Sequence, residues 1–166
     1  LITSMSVVML RSRCEEGTWA MITKPFVGVL LLLCASAAAA AESRCVTVEQ
    51  GWVRLPPNPA MPMTAGYGTI VNRCAAPVTV VGAGSRAFGD VSLHETTVVD
   101  GVSRMREVER LPIAAGARTE LKPGGLHLML MEGEGALKEG QVVPLQLQLE
   151  GGGTASATLT VRKAAP

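Results

Sequence analysis

From Val46 onward the chain alternates apolar and polar residues in short runs broken by glycine and proline. The clearest run is Leu126 to Met131. Side chains two apart on a strand project from the same face. Leu126, Leu128 and Leu130 therefore line one side, and His127, Met129 and Met131 the other. Asp90 to Thr97 alternates too, with Val91, Leu93 and Glu95 on one side and Ser92 and His94 on the other. Further strands are predicted for Val46–Val48 leading into Gly51–Arg54, and for Ala65–Val71, Val78–Val81, Val102–Val108, Thr119–Leu121, Val142–Leu149 and Thr154–Val161. Pro56-Pro57-Asn58-Pro59 ends the first of these, because proline cannot join a central ladder. Asn72-Arg73 ends the second, and Gly82 and Gly84 break the third. Asp100-Gly101 is a hairpin signal, and Ala115-Gly116-Ala117, Pro123-Gly124-Gly125 and Gly151-Gly152-Gly153 mark further turns. No long segment shows a helical period. About eight or nine short strands with regular turns predict an all-β sandwich or barrel.

The stretch ahead of these strands reads as an address rather than a fold. Met21-Ile22-Thr23-Lys24 supplies a positive start, Pro25 to Cys34 is nearly all apolar, and Ala35 to Ala41 is small residues apart from polar Ser36. That order describes a secretory signal peptide cut after Ala39-Ala40-Ala41. The alternatives are a membrane anchor and a lipoprotein acylated at Cys34. Phe26 to Ala41 falls short of the roughly 20 residues a spanning helix needs, and Leu33 stands where a lipoprotein signal places a small residue. The expected division is residues 1–20 as a non-native upstream extension, 21–41 as signal peptide and 42–166 as one exported domain, with no stable membrane insertion after cleavage.

Composition supports a packed domain within the chain of 166 residues: 48% of positions are hydrophobic, 17% charged and only 3% aromatic, so aliphatic side chains must build the core. The formal net charge of +1 comes without a basic stripe, and nucleic-acid binding would need one. Export changes the cysteine count, since Cys14 and Cys34 leave and Cys45 and Cys74 remain. Two cysteines in an oxidising compartment usually pair. Cys45 opens the first predicted strand and Cys74 closes the second, so antiparallel neighbours could bring them together. Such a bridge would contribute roughly 3–4 kcal/mol in the chain-entropy treatment. Two buried free thiols are the alternative.

Candidate chemistry is confined to one window. The only two histidines fall in the pattern H-x10-M-x21-H-x-M, as His94, Met105, His127 and Met129. Neutral thioethers and imidazoles are soft to intermediate donors that favour Cu(I) over Zn(II) and suit Ca or Mg poorly. A thiolate site would be oxidised outside the cytoplasm, whereas Met and His escape that fate. Imidazole must be neutral to bind, so capture should weaken in acid. The Asp100-Gly101 turn can fold the His94 and Met105 segments together as a cross-strand pair or near it.

Through these residues the chain resembles the periplasmic copper chaperones called PCuAC, whose copper motif has this spacing. The likeness extends to Gly51-Trp52-Val53-Arg54 ahead of the prolines, Ala65-Gly66-Tyr67 with Asn72, and Leu93-His94-Glu95-Thr96. It continues through Gly101, Met105-Arg106 and Leu121 to Leu130, and spans Gly51 to Val161. The resemblance implies a cupredoxin-like Greek-key β-sandwich and one Cu(I) per chain held by His94, Met105, His127 and Met129. It also implies a monomeric, non-enzymatic periplasmic carrier that delivers copper to a cuproenzyme, the CuA centre of cytochrome c oxidase, and meets other copper carriers. Relatives often add a His/Met-rich tail with a second copper. This sequence runs Val161-Arg162-Lys163-Ala164-Ala165-Pro166 there, so a single site is expected.

Other residues carry competing readings. Met61-Pro62-Met63 is placed in the loop after the first strand, as gap-filling packing or as a shield over the metal. Met131 is read as a neighbour of the site or as core, Trp52 and Tyr67 as core aromatics, and Glu95 as a solvated charge. A blue-copper electron carrier would need a Cys thiolate beside two histidines. A copper tolerance or storage protein and a metal-free exported binding module are further alternatives. No nucleophile elbow, paired carboxylates or zinc-type spacing points to a hydrolase.

Overall fold

The computed structural model describes residues 43–58 and 60–165. The segments expected to be an upstream extension, 1–20, and a signal peptide, 21–41, with Cys34, lie outside the described residues. The alternating segments form ten strands: β1 (Val46–Arg54), β2 (Met63–Asn72), β3 (Val78–Gly84), β4 (Phe88–Val99), β5 (Val102–Glu107), β6 (Leu111–Ile113), β7 (Arg118–Leu121), β8 (Leu126–Gly133), β9 (Val142–Leu149) and β10 (Thr154–Arg162). They hydrogen-bond in the order β5-β4-β8-β2-β1-β10-β9-β3-β6, with β7 added beside β2. The pairs are antiparallel except β1 with β10, which run parallel.

One aliphatic core holds this sheet. Leu128 and Leu130 of β8, Leu93 of β4, Val53 of β1, Val80 of β3, Leu147 of β9 and Leu159 of β10 are all buried in it. These are the inward positions of alternating strands, each worth about 1.5–3 kcal/mol of burial. The alternation thus aims the opposite positions of β8 and β4, including His127, Met129 and His94, away from the core.

Several elements depart from the predicted pattern. β6 lies outside the strands that the sequence predicts, and Pro112 sits at its centre. It ends the strand order and pairs only with β3, and an edge strand tolerates the missing donor. β3 runs through Gly82 and Gly84 with a register shift between Val80 and Gly82, so these glycines bend the strand instead of ending it. β2 begins at Met63, which is therefore a strand residue and not part of the loop. At the β4–β5 turn, where the sequence predicts a hairpin, Asp100 (φ 53°) and Gly101 (φ 76°) both take left-handed conformations between the paired Val99 and Val102, as a type I′ turn requires.

Cys45 and Cys74 form a disulfide with Cα atoms 5.0 Å apart, which sets aside the free-thiol alternative. It staples β1 and β2 next to the pair Val46–Asn72. Asn72 is fully buried. Its side-chain amide donates to the carbonyls of Ala76, Ile113 and Ala114, and its Oδ1 accepts from the Cys74 amide. A buried polar side chain is tolerable when satisfied in this way.

β1 carries a register shift between Glu49 and Trp52. There Gly51 approaches β10 closely. A Cβ at this position would stand 2.6 Å from Leu159 Cδ2 and 2.8 Å from the Thr158 carbonyl oxygen. The carbonyl is backbone and cannot move aside without separating β1 from β10. Gly51→Ala is therefore expected to cost about 1–3 kcal/mol, read as a lower midpoint in urea unfolding.

Candidate metal centre

Strand pairing, more than sequence distance, decides whether the four motif residues meet. β4 and β8 are neighbours, and His94 lies directly opposite His127 in their register. Their rings are 6.1 Å apart, centroid to centroid, and tilted by 34°. Met129 lies opposite Ser92, two residues from His94. Met105 of β5 lies opposite Thr96, two residues from His94 on the other side. Both methionines are thus diagonal neighbours of His94 on the same face. Diagonal strand neighbours stand about 7–8 Å apart, within reach of long side chains. His94 and Met105 are not a direct pair; Glu107 occupies the position facing His94.

The histidines are oriented by the residues two positions before them. His127 Nδ1 is 2.9 Å from the Gly125 carbonyl oxygen. A carbonyl only accepts, so Nδ1 carries the proton and Nε2 presents its lone pair. His94 Nε2 is 3.1 Å from Ser92 Oγ. His94 Nδ1 is buried and has no hydrogen-bond partner. A buried polar atom without a partner is costly, and a bound ion would satisfy it. Gly125 and Ser92 were not singled out from the sequence as supports. The signal available was their i−2 position on the ligand's own face or turn.

Burial is graded across the group. His127 is only 6% exposed and Met105 54%, with His94 and Met129 half-buried. Trp52 and Tyr67 are buried aromatics, as expected. They belong to the site face, with Trp52 against Tyr67 at 4.6 Å and the Tyr67 ring 6.5 Å from that of His127. The Arg54 guanidinium lies 5.3 Å from the Tyr67 ring centre. Burial pushes the Tyr67 phenol above its usual pKa, opposed by Arg54, so the phenol stays protonated. Glu95 projects from the opposite face and forms an ion pair with Arg106, its cross-strand partner, so it is not simply solvated. Among the described residues no three His, Cys, Asp or Glu side chains cluster as a metal-holding group. The donor set on offer is two imidazoles and two thioethers.

The profile of the family described as "Putative lipoprotein LpqE-like" matches residues 46–161. "Putative lipoprotein Lxx21020" of Leifsonia xyli subsp. xyli (strain CTCB07) is 34% identical over 118 residues, 70% of this chain and 69% of that protein. Among solved structures, Cu(I)-DR1885 from Deinococcus radiodurans is 34% identical with a TM-score of 0.56, covering 78% of this chain and 85% of that one. The apo PCuAC domain of PmoF1 shares the fold at 20% identity and a TM-score of 0.59, covering 72% of this chain and 95% of that one. The fold expected from the resemblance to PCuAC is the fold observed.

Proposed function

The chain belongs to the LpqE-like lipoprotein family and has the fold of PCuAC domains, and on that footing we propose that it is an exported carrier of one Cu(I), held by His94, Met105, His127 and Met129, for a copper-accepting protein. The observation that carries this reading is the facing pair His94 and His127, their rings 6.1 Å apart, with a buried His94 Nδ1 that has no partner and a methionine diagonal to His94 on either side. The Cu(I) form of the similar DR1885 supports it. The donors are uncharged, so capture demands little proton release, and the site holds its cargo by softness rather than by charge.

The gradient of burial suits transfer. His127 anchors the ion from within. Met105 stands exposed on β5, a terminal strand of the sheet, where an acceptor's ligand can enter as the Met105 sulfur leaves. Within this proposal the acceptor is a cuproenzyme, with the CuA centre of cytochrome c oxidase as the recipient that the sequence resemblance suggests. Cleavage after Ala41 or acylation at Cys34 would each leave the domain in the envelope, and the names of the family and of the Leifsonia relative favour the lipid-anchored form. A blue-copper reading lacks its thiolate, because the two cysteines of the described residues are joined in a disulfide.

Anaerobic competition titration against a chromophoric chelator tests the proposal. One tightly held Cu(I) per chain is expected in competition with the chelator, with sulfur and nitrogen neighbours in X-ray absorption. Failure to retain copper, or an intense blue Cu(II) form, would overturn it. Ser92→Ala should weaken the affinity about tenfold, because removing a hydrogen-bonded support of a ligating histidine typically costs 10–100-fold.

A further inference from the structure

The buried core contains no methionine. Met61, Met63, Met105, Met129 and Met131, all the methionines of the described residues, lie outside it. Flexible thioether side chains normally serve as core filler, and this core is built mainly from valine, leucine and isoleucine, with Phe88 and Ala155, instead. Met61 and Met63 are 44% and 42% exposed. Gap-filling does not explain them.

Their placement does. Met63 and Met131 are direct cross-strand partners in the β2–β8 register, and Asp90 faces Met131 from β4. Directly opposed residues have Cβ atoms about 5 Å apart, close enough for two thioethers to grip one ion. Alternation puts Met131 on the face of His127 and Met129. It lies two residues beyond Met129, roughly 7 Å along the strand, a gap that two unbranched side chains can bridge. Met129 itself is flanked only by Ala65 and Ser92 on the adjoining strands. Met61 and Met63 both line a cleft of about 550 Å³ with Phe88, so the Met63 member of the pair is open to solvent.

We propose that Met63 and Met131 form a second Cu(I) site, made of thioethers and contiguous with the His94–His127 site. It rests on the copper-carrier reading and extends it. Without imidazole the pair binds the ion more loosely and exchanges it with Met129. In that exchange a bond from copper to the Met129 sulfur forms as the bond to the Met63 sulfur breaks. Copper stays monovalent and no proton moves. The Asp90 carboxylate places negative charge beside Met131 and favours a cation there.

The test follows methionine methyl resonances of the purified protein during titration with Ag(I), a redox-inert stand-in for Cu(I). The first equivalent should shift the Met105 and Met129 methyls, and the second those of Met63 and Met131. Met63→Leu/Met131→Leu, which keeps volume and hydrophobicity, should lose the second equivalent and keep the first. If Met105 and Met129 respond while Met63 and Met131 stay unmoved through two equivalents, the second site is wrong and the carrier reading stands. If no methionine responds, both fail. A double variant that still takes two equivalents would also overturn the second site.

Discussion

Replacing His127 by alanine is expected to abolish useful Cu(I) capture while leaving the protein folded. His127 is the most buried of the four candidate ligands and the one whose tautomer is set by backbone, through the Gly125 carbonyl. Losing only a hydrogen-bonded support of a metal ligand costs 10–100-fold in affinity, so losing the ligand should cost more than about a hundredfold. Met105→Leu should cost less. Its thioether is exposed on a terminal strand, and solvent or another donor can replace it. The fold survives because His127 projects away from the aliphatic core that Leu128 and Leu130 enter from the same strand. Chelator competition reads the affinity and circular dichroism the fold. Wild-type affinity in a folded His127→Ala protein would remove the site from this face. Glu107→Gln provides the control, since Glu107 faces His94 in register but offers no soft donor.

Loss of the disulfide has the second large effect, and it falls on stability. The bridge joins residues 29 apart, and the chain-entropy treatment assigns such a loop about 3–4 kcal/mol. Cys45→Ala/Cys74→Ala should therefore lower the thermal midpoint by about 10–20 °C in a domain of this size. The staple lies at the start of β1 and just past the end of β2, beside the Asn72 knot that ties β2 to Ile113 and Ala114. Site residues Tyr67 and Met129 pair or pack several rungs away along β2. Copper affinity below the new midpoint should thus be unchanged, since effects at separated sites add independently. Calorimetry with and without Cu(I) measures both quantities. An unaltered midpoint would mean that the denatured chain gains nothing from being cut free, and a lost copper site would mean that the two ends of β2 are coupled.

The departures from the sequence reading share a physical origin. β6 was hidden by Pro112, because whether proline is tolerated depends on the strand being at an edge, and edge position is a property of the assembled sheet. Gly82 and Gly84 read as a stop because glycine weakens a strand, yet β9 pairs alongside and β3 continues with a bulge. By sequence Met63 falls in the loop after the first strand, but backbone pairing with Met131 draws it into β2. Burial of Trp52 and Tyr67 is legible from the sequence, but only β1–β2 pairing sets them together beside His127.

What the sequence determined by itself is local and periodic. The two-residue repeat put His127 and Met129 on the face opposite Leu128 and Leu130, Asp100-Gly101 made the β4–β5 hairpin, and the motif supplied soft donors. These follow from strand geometry and turn chemistry, which act over a few residues. Only the tertiary structure decided that β4 would lie beside β8, that His94 would face His127 with a methionine diagonal on either side, and that one candidate ligand would be buried and another exposed. Those outcomes depend on which apolar faces bury one another across long stretches of chain, and burial is a property of whole surfaces without direction along the sequence.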